Sequence, residues 1–194
     1  VHFKEKIEYL FCASRLSIID LNERSNQPFE DENGILIFNG EIYNYIEIKK
    51  KLKKEGIKFS TNSDTEVLLK FLHYKGESKI EELDGMWSFA YYSKKRKQTI
   101  LSRDKFGEKP LYFNINKKDK YLIFGSNVNY IKKLSKNKIL IDEKKIINFI
   151  KNSYRSVFSS TGTFFKDINY LEPGTNLIIN ENLHIKFKRY WNKS

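Results

Sequence analysis

Hydrophobic positions along the chain change their period several times, and each change marks an element. Residues 9–19 are rich in aromatic and β-branched side chains and read as a strand, closed by the polar stretch 22–27 and by Pro28. The continuous apolar run Ile35-Leu36-Ile37-Phe38 predicts a buried strand that stops at Asn39-Gly40, a turn-forming dipeptide. Tyr45, Ile48 and Leu52 then recur at helical spacing, with Gly56 placed to end the helix. Ser63-Asp64-Thr65-Glu66 has the capping-box pattern, which predicts a second helix burying Val67, Leu68, Phe71 and Leu72 and closing at Gly76.

Beyond Leu83-Asp84-Gly85 the pattern shortens to strands at 86–92, 99–103, 111–115 and 121–124, expected to form an antiparallel meander. A helix carrying Ile146, Ile147, Phe149 and Ile150 follows, then a loop at Glu172-Pro173-Gly174 and strands at 176–179 and 183–187. Strands at both ends with helices near the middle predict an α+β fold, with sheets packed on one another and helices outside. The pattern does not give the strand pairing.

Composition narrows the class. A chain of 194 residues, 40% hydrophobic and 15% aromatic, has the length and apolar content for one domain with a sizeable core. No apolar run is long enough to span a bilayer and the first residues lack a signal-peptide pattern, so a cytoplasmic setting and no membrane partner are expected. One cysteine and three scattered histidines give no disulfide and no visible metal-ligand cluster. The net charge of +12 invites a nucleic-acid reading. Its cations are overwhelmingly Lys, however, with Arg only at Arg15, Arg24, Arg96, Arg103, Arg155 and Arg189, whereas bidentate readout favours Arg. A solvated lysine surface without a specific nucleic-acid partner is expected, with Lys49, Lys50, Lys51, Lys53 and Lys54 on the polar side of a helix.

Asn39-Gly40-Glu41 is the strongest candidate for chemistry. An Asn amide beside a Gly N–H can donate two hydrogen bonds to one developing negative oxygen, and Gly lets a reacting carbon approach closely. Taken alone, the dipeptide is also an ordinary turn. Arg15 sits in an otherwise apolar strand and needs a carboxylate or a route to water, so it could grip a ligand carboxylate. Asp64 is adequately explained as a helix-start residue, with an ammonium group as its alternative partner. Together, Arg15, Asp64, Asn39 and Gly40 would hold an amino acid by both ends and stabilise attack on its side-chain carbonyl. Cys12 reads as a small buried hydrophobe with no neighbouring base, and Arg103-Asp104 as a charged turn between strands.

Six motifs in order carry a family resemblance: Arg15-Leu16-Ser17-Ile18-Ile19-Asp20, Gln27-Pro28, Phe38-Asn39-Gly40-Glu41-Ile42-Tyr43-Asn44, Ser63-Asp64-Thr65-Glu66, Leu83-Asp84-Gly85-Met86-Trp87-Ser88-Phe89-Ala90, and the run from Arg103-Asp104 through Gly107 to Pro110-Leu111-Tyr112. They resemble the class II amidotransferase domain of glutamine-hydrolysing asparagine synthetases. The resemblance implies an N-terminal-nucleophile fold, a four-layer α/β/β/α sandwich of antiparallel sheets, in which a terminal Cys attacks glutamine and its free α-amine acts as base. It also implies that Arg15 binds the glutamine α-carboxylate and Asp64 its α-ammonium. Asn39 and Gly40 become the oxyanion hole, with Glu41, Leu16 and Ile18 lining the pocket.

The expected partners are glutamine and the protein's own synthetase domain, and a homodimer is compatible. No cofactor is expected in this domain; ATP and Mg are implied only for the synthetase half. The chain departs from the family pattern in having no His-Arg-Gly-Pro loop before Arg15, Cys12 where a Gly is usual, Ser126-Asn127 in place of Ser-Glu, and no Ser-Gly-Gly-x-Asp-Ser pyrophosphate loop. Residues 1–194 are therefore expected to be one glutaminase domain without its N-terminal Cys segment and its ATP-dependent synthetase half, inactive as a glutaminase by itself. Two alternatives stay open: an amidotransferase with a sugar or other acceptor, and a non-catalytic domain that has lost its nucleophile.

Overall fold

The computed structural model describes residues 10–13, 19–20, 22–153 and 162–192. Strand β2 (Gly34–Ile42) is the centre of the architecture. It pairs antiparallel with β3 (Gly85–Ser93) over its whole length, from Gly34 opposite Ser93 to Ile42 opposite Gly85. On its other side the two-residue β1 (Phe29–Glu30) covers only Leu36 and Ile35. Strands β4 (Gln98–Arg103), β8 (Thr175–Asn180) and β9 (Ile185–Arg189) complete a six-stranded sheet in the order β1-β2-β3-β4-β8-β9. A second sheet of three strands has β5 (Tyr112–Asn116) between β6 (Tyr121–Gly125) and β7 (Asn169–Tyr170).

Alternation of side chains builds two cores on the two faces of the large sheet. Leu36, Phe38, Trp87, Phe89 and Tyr91 face helices α1 (Tyr45–Lys54) and α2 (Asp64–Lys75), which contribute Ile48, Leu52, Val67, Leu68, Phe71 and Leu72. Ala90, Leu101, Leu177 and Ile179 face Phe113 of the small sheet, with Ile37, Ile115, Leu122 and Phe124 packed alongside. Helix α3 (Val128–Leu134) lies against β5 and β6 and buries Ile131. Helix, sheet, sheet, helix is the four-layer α+β sandwich expected from the sequence.

Several elements differ from their predicted form. The meander is two hairpins: β3 pairs with β4 and β5 with β6, but β4 turns its far edge to β8. The turn between β4 and β5 carries the chain from one sheet to the other. Arg103 holds it there, donating from Nε to the carbonyl of Lys109 (2.8 Å), from Nη1 to Leu171 (2.8 Å) and from Nη2 to Gly107 (2.7 Å). The buried Asp104 carboxylate accepts from the N–H groups of Phe106, Glu108 and Lys109, each at 3.0 Å.

The predicted capping box is half formed. Ser63 Oγ accepts the Glu66 N–H at 3.2 Å, but the Glu66 carboxylate reaches past Ser63 to the backbone and hydroxyl groups of Ser60 and Thr61. Burial alone would raise the Glu66 pKa; those donors outweigh it and hold the carboxyl below its usual range. Of the strand expected at 9–19, residues 10–13 have no regular structure and 14–18 lie outside the described residues. Cys12 is exposed, not buried as expected, since residues 10–13 form no strand that would turn its side chain into a sheet. Helix α4 (Glu143–Asn152) exists, but Ile147, Phe149 and Ile150 remain exposed.

Candidate active site

The C-terminal end of β2 gathers most of the residues singled out above. Asn39 and Gly40 do not form a turn. They lie inside the strand, opposite Ser88 and Trp87, because β3 continues the ladder past them. Gly40 permits this: its φ is 148°, and a Cβ there would stand 2.1 Å from the Met86 carbonyl oxygen. Gly85 answers it across the ladder, with φ 142° and the same 2.1 Å from a would-be Cβ to the Glu41 carbonyl oxygen. Asn39 follows Ile35 and Ile37 on the face turned to the second sheet, yet it is exposed. The inter-sheet core stops short of it, so its amide looks into open space.

Backbone groups in an antiparallel ladder point alternately to one neighbour and the other. Phe38 turns its N–H and C=O away from β3, to the side chain of Gln27: Phe38 N–H donates to Oε1 at 2.6 Å and Nε2 donates to the Phe38 carbonyl at 2.9 Å. Ile42 turns its N–H the same way, to Asp64 Oδ2 at 3.2 Å. Gly40 lies midway between them, so its N–H faces that edge too, and no side chain among the described residues takes it. One open backbone donor therefore stands beside one exposed carboxamide.

Asp64 begins α2 and is only 6% exposed. Burial drives its pKa up, the N–H groups of Ile42 and Thr65 pull it back, and Glu41 pushes it up again; the net shift is upward. The helix start is held to its surroundings by Asp20, whose carboxylate accepts the Asn62 N–H at 2.8 Å, and by Lys49, which donates to the Thr61 carbonyl at 2.7 Å. Beyond β2, Tyr43 N–H donates to the Asp84 carbonyl (2.8 Å), while Asn44 brackets the turn ahead of β3, bonding Glu82 and Asp84 at 2.9 and 3.0 Å. The Tyr43 hydroxyl titrates above its usual value, from desolvation first and then from Glu108, Glu41, Asp84 and Asp104.

Asn39, Gly40, Glu41 and Asp64 come together; Arg15, Leu16 and Ile18 lie outside the described residues. What the sequence reading missed is the role of Gln27. Its motif was visible, but a side chain that mimics a ladder rung leaves no periodic signature. The grouped residues can donate to a negative oxygen through Asn39 and Gly40, and receive a cation at Asp64 and Glu41. Among the described residues, no group of three or more His, Cys, Asp or Glu side chains is gathered for a metal ion, and no helix is long and apolar enough to cross a membrane.

Solved structures share this architecture. The chain superposes on the glutamine phosphoribosylpyrophosphate (PRPP) amidotransferase from B. subtilis complexed with ADP and GMP, with a TM-score of 0.52 and 22% identity over 84% of this chain and 30% of that one. A structure of the allosteric regulatory enzyme of purine biosynthesis gives 0.55 and 22% over 88% and 32%. At that identity the likeness shows the fold alone, the sandwich of the N-terminal-nucleophile hydrolase fold.

The chain belongs to the glutamine amidotransferase domain family, whose sequence model matches residues 2–191. It is 38% identical to asparagine synthetase [glutamine-hydrolyzing] 1 of Bacillus subtilis over 93% of this chain and 28% of that protein. It is 33% identical to putative asparagine synthetase [glutamine-hydrolyzing] 2 of Methanocaldococcus jannaschii over 91% and 36%. It is also 32% identical to amidase chry2 of Gibberella zeae over 91% and 25%. The chain thus spans between about a quarter and a third of the length of these relatives.

Proposed function

We propose that this domain hydrolyses glutamine and delivers the ammonia to an ATP-dependent amidation of aspartate, as the glutaminase half of a glutamine-hydrolysing asparagine synthetase. The observation that carries the reading is the hydrogen bond from Ile42 N–H to Asp64, which joins the buried helix-start carboxylate to the strand bearing Asn39, Gly40 and Glu41. Asp64 receives the α-ammonium group of glutamine, with Glu41 beside it, while Arg15 takes the α-carboxylate and Leu16 and Ile18 line the pocket. As a thiolate attacks the side-chain carboxamide carbon, negative charge grows on the carbonyl oxygen. The Asn39 amide and the Gly40 N–H donate to it more strongly as the charge develops, which lowers the barrier rather than tightening binding.

The nucleophile in this reading is an N-terminal cysteine of the parent protein, with its own α-amine as base. Cys12, the only cysteine in the sequence, is exposed and is not assigned that role. The 194 residues alone are accordingly expected to release no glutamate from glutamine. ATP and Mg belong to the synthetase half, and no residue of this chain is assigned to them.

The test uses the complete protein. Asn39→Ala should lower glutamine-dependent product formation by about 10²-fold, the worth of one donor to a developing oxyanion. Ammonia-dependent synthesis should persist, since free ammonia bypasses the thioester. Arg15→Ala should also raise the glutamine KM, because a carboxylate grip is present before the transition state. Loss of both the glutamine and ammonia reactions in folded Asn39→Ala would make Asn39 a structural residue and overturn the assignment.

A further inference from the structure

Strand β2 loses its backbone neighbour just before it reaches the site. The β1 ladder ends with Phe29 opposite Leu36. One rung further toward Asn39 would place Gln27 opposite Phe38, but the backbone ladder stops at Phe29. Gln27 replaces the missing rung with its side chain. A primary amide has the same donor and acceptor as a peptide group, and here it satisfies both backbone groups of Phe38 at 2.6 and 2.9 Å. The residue so held directly precedes Asn39. Further along the strand, Asp64 holds Ile42.

The geometry points to Gln27 as a positioning residue for the oxyanion hole: its amide fixes Phe38 and thereby sets the direction of the Asn39 side chain and the Gly40 N–H. This rests on the function proposed above. Without the clamp, the outer edge of β2 would have no tie among the described residues between Leu36 and Ile42, and Asn39 and Gly40 lie in that span. Gln27 touches no substrate in this arrangement. Its effect passes through the strand, so it should appear in kcat more than in glutamine KM, since the hole acts on the transition state.

The complete protein carrying Gln27→Leu, Asn39→Ala or both is assayed for glutamate release, with thermal unfolding as the folding control. Gln27→Leu should lower kcat by roughly 10- to 100-fold, as displaced catalytic groups do, with little change in KM. In the Asn39→Ala background the same substitution should cost less, because one of the two donors it positions is already gone. Gln27→Glu supplies an independent readout that also serves if the Leu variant fails to fold. An ionised carboxylate accepts from Phe38 N–H but repels the Phe38 carbonyl, whereas the protonated acid restores a donor. Activity of Q27E relative to wild type should therefore rise as pH falls through the titration of the introduced carboxyl group.

Equal losses from Gln27→Leu in both backgrounds, an unchanged kcat, or a flat pH ratio for Q27E would overturn the inference. An unchanged kcat in Asn39→Ala alone would instead overturn the reading of the site, and this inference with it.

Discussion

Asp64 is pulled two ways. Its backbone donors favour the ionised carboxylate, but its burial and the nearby Glu41 oppose it more strongly, so its pKa in the folded chain lies above the ordinary value. Between the ordinary and the raised value the folded state binds more protons than the unfolded one. Stability therefore falls as pH rises through that window, and the full penalty is present at neutral pH. Asp64→Asn keeps an oxygen for the Ile42 N–H and removes the charge. It should raise the Tm by a few degrees at neutral pH, with the two proteins converging as pH drops below the ordinary carboxylate range. Unfolding curves at several pH values check this; a variant less stable at neutral pH would show that the backbone donors outweigh burial. In the complete protein the same change should weaken glutamine binding, so this position exchanges stability for recognition.

At the scale of elements, Arg103 joins the two sheets, since the carbonyls it holds belong to the β4–β5 turn and to Leu171 just after β7. Lysine cannot reproduce a planar fork with three directed donors. Arg103→Lys should cost about 3 kcal/mol, or roughly 10 °C in Tm for a chain of this size, measured by denaturant and thermal unfolding. A loss confined to a few tenths would mean the turn is held mainly by Asp104.

The elements readable from sequence are those whose signals are local. Ser63 caps α2 and Gly56 follows α1 as their residue types predict, and β3, β4, β5, β6, β8 and β9 fall close to their predicted places, whereas the two-residue β7 carries no such signal. Asn39-Gly40 misleads because turn preference is a property of two residues, whereas the strand there is made by β3, far along the chain, and by glycine's tolerance of a close backbone. The meander misleads for the same reason: nothing local in β4 says that the strand on its far edge is β8, beyond the next strand pair. At the site, residue identities came from motifs in sequence, and what could not be read was how they are held. Gln27 acts through an amide bond pattern that depends on where β1 ends.

Over the whole molecule, charge and site are unevenly distributed. The chain carries +12, and Lys50, Lys51, Lys53 and Lys54 of α1 are exposed, while at the site end Glu108, Glu41, Asp84 and Asp104 help to raise the Tyr43 pKa. Duplex DNA should bind such a surface weakly, without sequence preference, and with affinity falling steeply as salt is raised. A salt titration with two unrelated duplexes tests this, and selective binding that survives physiological salt would contradict it.

The hold on β2 also bears on how long the site lasts. Asparagine followed by glycine is chemically short-lived in a flexible chain: the glycine nitrogen attacks the asparagine carboxamide, ammonia departs, and the resulting ring reopens as aspartate or isoaspartate. The attack requires the backbone to swing that nitrogen over the side-chain carbon. A strand paired along β3 and pinned at Phe38 and Ile42 resists the swing. Mass spectrometry of the aged domain should find Asn39 intact in native protein long after the denatured chain has converted. Loosening the strand would then do more than blunt the proposed oxyanion hole for a moment. Each excursion would risk a permanent covalent scar at the residue the hole depends on, which refolding cannot undo.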